Sequence, residues 1–177
     1  GAFSPEHFEV SFSVLEDLEA VNIALTGEEK LRLRGRIDRV DTWREPGQNS
    51  PSGKDRIYVK VIDYKSGSRD FSLAALYYGL QLQLVVYLNA AVELEQKEHP
   101  KDEVVPAAML YYRVHDPIVE VEEEPDEDEE ELVGRVQKEL LGRLRMTGAV
   151  RSEEQVIEGL DAHFTGRSDV IPVERKK

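Results

Sequence analysis

The chain has 177 residues, a formal net charge of −13 and no cysteine. Its length suits one domain with a sizeable core, and the missing thiols exclude disulfides, thiolate zinc sites, thiolate-held iron–sulfur clusters and a cysteine nucleophile. The charge argues against a nonspecific nucleic-acid coat, which needs Lys and Arg to neutralise phosphates.

Phe8 to Leu15 alternates Phe8, Val10, Phe12 and Val14 on one face, which predicts a first strand with Glu9 on the other face. Leu31 to Trp43 alternates strictly and predicts a second strand, with Arg32, Arg34, Arg36 and Asp38 sharing a face. Glu45 to Asp55 is rich in Gly, Pro, Ser and Asn and reads as a hairpin connection. The third strand, Arg56 to Lys65, ends in Asp63-Tyr64-Lys65, with turn chemistry at Ser66-Gly67. Three strands in a row with polar links predict an antiparallel start to a sheet.

The period then changes. Ser72 to Glu98 predicts one long, largely buried helix with Ser72 as N-cap. Pro106 to Val121 returns to strand character, broken by a turn at His115-Asp116-Pro117. Ten of the twelve residues from Glu120 to Glu131 are acidic, which predicts a solvated surface loop over 120–131. Leu132 to Met146 reads as an amphipathic helix that Gly148 stops, and Ser152 to Phe164 as a short helix. The apolar stretches are too short for a membrane span and no signal-peptide pattern opens the chain, so a soluble cytoplasmic protein without membrane contact is expected. The opening Gly-Ala-Phe and closing Glu174-Arg175-Lys176-Lys177 read as cut ends, so residues 1–177 are expected to be a single domain of a longer protein.

Chemistry concentrates in three pieces. Asp63 and Lys65 are two apart on a strand and project from one face. If strands two and three pair as a hairpin, Asp38 meets Asp63 at cross-strand distance. Gln83 and Tyr87 are four apart and share a helix face. Two carboxylates that close repel unless a cation sits between them, and all-oxygen ligands favour magnesium or manganese. A lysine beside such an ion orients a water nucleophile or neutralises charge developing on a phosphoryl group. Metal-assisted hydrolysis of a phosphodiester is the chemistry implied.

Taken together, GRIDRVD, a loop, VKVIDYKSG and then YYGLQLQLVVYL resemble the PD-(D/E)XK nuclease superfamily in its RecB-like branch. The resemblance is greatest to the C-terminal nuclease domain of the AddB/RexB type, found in ATP-dependent helicase–nucleases that process double-strand DNA ends. The stretch LLGRLRMTGAVRSEEQVIEGLD adds to it, so that most of the chain, from about Glu9 to Asp161, is covered. The resemblance implies an α/β fold with a mixed central sheet flanked by helices. It implies that Asp38, Asp63 and the backbone carbonyl of Tyr64 ligate Mg2+ or Mn2+, that Lys65 is the catalytic lysine, and that Gln83 and Tyr87 orient it or contact the DNA backbone. Glu9 is a further acid that the first strand offers. DNA and an AddA-like helicase–nuclease protein are the implied partners, in double-strand break repair and recombination. Two family features have no counterpart: the four-cysteine iron–sulfur cluster is not possible within this chain, and no upstream helix carries an active-site histidine, His7 being too close to the first strand.

Singly, each piece has a plainer reading. Asp38 between Arg36 and Arg39 is compatible with a surface salt-bridge network, Lys65 with a solvated strand end, and Gln83 and Tyr87 with helix packing. Arg32, Arg34 and Arg36 suit either phosphates or the abundant acids. Jointly, order and spacing favour a DNA-hydrolysing site. The alternative from a different class is a catalytically silent nuclease-like module that binds DNA or assembles a complex.

Overall fold

The structure, a computed structural model, describes residues 1–13, 34–49, 52–66, 72, 74, 82–114 and 128–175. Five strands form one mixed sheet in the order β1-β2-β3-β4-β5. They are β1 (Ser4–Ser13), β2 (Arg34–Glu45), β3 (Arg56–Lys65), β4 (Glu103–Arg113) and β5 (Thr147–Val150). Helix α1 (Gln83–Glu98) joins β3 to β4, α2 (Glu129–Leu144) precedes β5, and α3 (Glu154–Leu160) follows it. Among the described residues only β3 and β4 pair in parallel; the other neighbours are antiparallel. This is the expected α/β class. Among the described residues, no helix is long and apolar enough to cross a membrane.

Alternation along β3 builds two cores. Ile57, Val59 and Val61 pack under α1 with Val40, Leu84, Tyr87, Ala90 and Ala91. Tyr58 and Ile62 face the other way, towards Val156 of α3 and towards Ile171. Central strands buried on both faces read as near-continuous apolar runs, and β3 does so until Asp63. Pro106 sits where the β3–β4 register shifts, a place where its missing N–H costs the ladder little.

Several expectations are corrected. Phe8 does not share the buried face with Val10 and Phe12 and is 63% exposed. Glu9 adopts a φ of 53°, in the left-handed region, which interrupts the alternation there. Gly148 does not stop a helix but lies in β5 opposite Leu110. Its φ of 147° suits glycine, and a Cβ there would meet Met109 O at 2.1 Å, so the close approach of β5 to β4 requires a residue without a side chain. The last residues of the acidic run are helix rather than loop. Asp128 caps α2 by accepting from the Glu131 N–H at 2.8 Å, and Glu129, Glu130 and Glu131 fill the first turn. Acids there meet the positive end of the helix dipole, which explains why a run so charged starts a helix. Residues 120–127, the turn at His115-Asp116-Pro117, Val14, Leu15, Leu31 to Leu33 and most of the expected first turns of the long helix lie outside the described residues.

Candidate active site

Strand β3 ends with its last two α1-facing positions polar. Asp63 is buried, at 4% exposure, and Lys65 Nζ lies 2.6 Å from its Oδ2. That contact is a short, charge-assisted ion pair. Among the described residues no donor is aligned on this buried oxygen. Burial pushes the Asp63 carboxyl above its ordinary value; Lys65 pulls it down, and the charge of Asp38 pushes it up again.

Asp38 arrives from β2. The β2–β3 ladder runs from the Glu45–Arg56 pair to the Arg39–Ile62 pair, and beyond it the Asp38 side chain takes the place of a ladder carbonyl. Its Oδ2 accepts a hydrogen bond from the Tyr64 N–H at 2.8 Å. The hairpin thus brings Asp38 within electrostatic reach of Asp63. The Tyr64 side chain itself is exposed and meets Tyr112 edge to face, with ring centroids 5.9 Å apart.

The helix supplies the remainder. Lys65 Nζ donates to Gln83 Oε1 at 3.2 Å, and Gln83 Nε2 donates to Tyr87 Oη at 2.7 Å. Lysine, glutamine and tyrosine therefore form one chain of hydrogen bonds from strand end to helix face. Gly35 explains how the tyrosine fits. A Cβ at that position would come within 2.7 Å of the Phe12 ring and 2.9 Å of the Tyr87 ring. The glycine three residues before Asp38 thus makes room for the tyrosine that holds Gln83. Phe12 and Tyr87 meet edge to face there, with centroids 5.6 Å apart.

One residue escaped the sequence reading. The Lys65 ammonium stands over the Tyr111 ring at 5.4 Å, a cation–π contact from the parallel neighbour β4. Nothing in the sequence signals it, because it depends on the β3–β4 register. Glu9 pairs instead with an arginine. Its exposed carboxylate is 3.9 Å from Arg36 Nη1. Arg32 lies outside the described residues, and so does the Arg34 side chain.

The donor set suits a hard divalent cation. It offers carboxylate oxygens from two strands, Asp38 on β2 and the buried Asp63 on β3.

Comparison with known proteins gives the family. The sequence model of the PD-(D/E)XK nuclease superfamily matches residues 1–167. The chain is 38% identical over 172 residues to the B subunit of an ATP-dependent helicase/deoxyribonuclease from Alkaliphilus metalliredigens, which covers 97% of this chain and 14% of that protein. It is 40% identical over 186 aligned residues to the protein of the same name from Lachnoclostridium phytofermentans, with 100% and 14% covered. The Clostridium botulinum counterpart is 36% identical over 178 residues, again with 100% and 14% covered. The chain therefore spans about a seventh of the length of these curated relatives. A family match over nearly the whole sequence, on a mixed sheet whose central strand ends in Asp63-Tyr64-Lys65, makes this chain a member of the PD-(D/E)XK nuclease superfamily.

Proposed function

We propose that the chain is a metal-dependent deoxyribonuclease domain, hydrolysing DNA phosphodiesters as the exonuclease of a helicase–nuclease that works in double-strand break repair and recombination. The observation that carries the reading is the buried Asp63 carboxylate, with Lys65 Nζ 2.6 Å from its Oδ2 and the charge of Asp38 close enough to raise it. The name of the relatives, which pairs helicase with deoxyribonuclease, supports DNA as substrate and an AddA-like helicase as partner.

In this reading Asp38, Asp63 and the Tyr64 carbonyl hold Mg2+ or Mn2+. When bound, such a cation supplies Lewis-acid charge and a more acidic water. Lys65 orients the attacking water and neutralises charge building on the phosphoryl oxygens. Gln83 fixes the direction of the lysine, and Tyr87 fixes Gln83. Water adds to phosphorus and gives up a proton, the bond from phosphorus to the leaving oxygen breaks, and that oxygen takes up a proton.

Linear duplex DNA incubated with the protein and Mg2+ should be digested, and EDTA should stop the reaction. Asp63→Ala should lower the rate by at least about a hundredfold with the far-UV circular dichroism unchanged. Equal digestion by wild type and variant would sink the reading. Calorimetric titration with Mg2+ separates the steps, since Asp63→Ala should also lose the binding heat.

A further inference from the structure

The far end of α1 carries a second group of ligating side chains, about 18 Å along the helix from Gln83. His7 of β1 points its Nε2 at Glu95 Oε1, 3.0 Å away, and at Glu98 Oε2, 3.8 Å away. The three ligand atoms all lie within 4.8 Å of one another. His99 adds its Nε2 at 3.9 Å from the other oxygen of Glu95. Ligands held about 2.0–2.2 Å from a tetrahedral ion are separated by roughly 3.3 Å. The two measured separations from His7 bracket that value.

Burial sets this group apart from an ordinary surface cluster. Glu95 is 1% exposed. It also lies in the last turn of α1, where the helix dipole disfavours a negative charge. Glu98 and Glu6 add further negative charge around it. His7 pulls the other way. Glu98 is about half exposed, which leaves a path from solvent.

We propose that His7, Glu95 and Glu98, with His99 at hand, bind a borderline divalent cation of the zinc class, at a site separate from Asp38 and Asp63. An imidazole nitrogen with two carboxylates favours zinc over magnesium, which prefers an all-oxygen shell and keeps its waters. Glu95 and Glu98 are three apart and share a helix face, as ligands of one ion must. Because His7 comes from β1 at the sheet edge and the acids from α1, the ion fastens the edge strand to the helix that covers it.

The test is calorimetric titration of Zn2+ into the Asp63→Ala protein, in which the carboxylate pair at the other end is broken. One ion per chain is expected, with a rise in melting temperature that equal Mg2+ does not give. Glu98→Gln, at a half-exposed position that tolerates change, and His7→Gln should each weaken Zn2+ binding by at least about tenfold. Co2+ in place of Zn2+ should show the visible absorption of tetrahedral coordination in the parent and lose it in both variants. Absence of Zn2+ binding, or binding that neither variant weakens, would overturn the proposal and leave His7 and Glu95 as a simple ion pair.

Discussion

Two aspartates are buried in neighbouring strands of this sheet, and they are treated in opposite ways. Asp41 on β2 is 1% exposed and saturated. Arg39 reaches its Oδ1 at 2.6 Å and its Oδ2 at 2.9 Å, and Lys60 Nζ sits 2.8 Å from Oδ2. Asp63 on β3 is buried almost as deeply, yet among the described residues it has one ion-pair partner, Lys65, and it feels the charge of a second carboxylate, Asp38. Asp41 is satisfied by the fold and serves the fold. Asp63 has a single cation among the described residues and an acid near it, the arrangement expected where a ligand completes the set.

The comparison breaks if both respond alike to loss of charge. Asp41→Asn should cost about 3 kcal/mol, because Arg39 and Lys60 lose the anion between them; urea unfolding measures it. Asp63→Asn should be neutral or stabilising without metal, while DNA cleavage disappears. A similar loss of stability in both would show that Asp63 is merely structural.

The acid dependence sharpens the same contrast. Burial raises the Asp63 carboxyl, so the folded state holds that proton more tightly than the unfolded state does. Its contribution is favourable below the ordinary aspartate value of about 3.9 and is lost as pH rises through the raised folded value. The melting temperature in EDTA should therefore fall over that range less steeply in Asp63→Asn than in wild type. Glu95, also raised by burial, retains part of the slope.

The smallest effect is expected at Tyr87. Tyr87→Phe keeps the ring against Phe12 but removes the oxygen that accepts from Gln83. Loss of one such bond is worth about 1 kcal/mol, or roughly fivefold in cleavage rate, with little change in unfolding. A rate equal to wild type would detach the tyrosine from the lysine it is argued to steady.

How far the sequence spoke depended on range. β3 could be read residue by residue, because alternation and the Asp-Tyr-Lys ending are local signals. The pairing of β2 with β3 followed from hairpin logic, and the bond of Gln83 with Tyr87 from helical spacing. β5 was missed, since four residues with a glycine carry no period, and Gly148 serves a close approach visible only beside Met109. Asp128 was hidden inside an acidic run whose composition suggested a loop, although its capping bond is local. Tyr111 under Lys65 and Glu95 beside His7 both arise from contacts between distant elements, which no spacing in the chain encodes.

The parallel pairing of β3 with β4 has a kinetic consequence. Glu45 finds Arg56 across one short connection, whereas Arg56 finds Glu103 only after α1 has been laid between them. Loop closure favours the β2–β3 hairpin as the early event and β4 as the later one. Asp38 and Asp63 are thus thrown together before the helix that brings Gln83 has docked, and their repulsion opposes the first step of assembly. A divalent cation shared by the two would relieve it there, and should speed refolding more than it slows unfolding. Stopped-flow chevrons with and without Mg2+ measure the two limbs separately; a change confined to the unfolding limb would place the encounter of the carboxylates late instead.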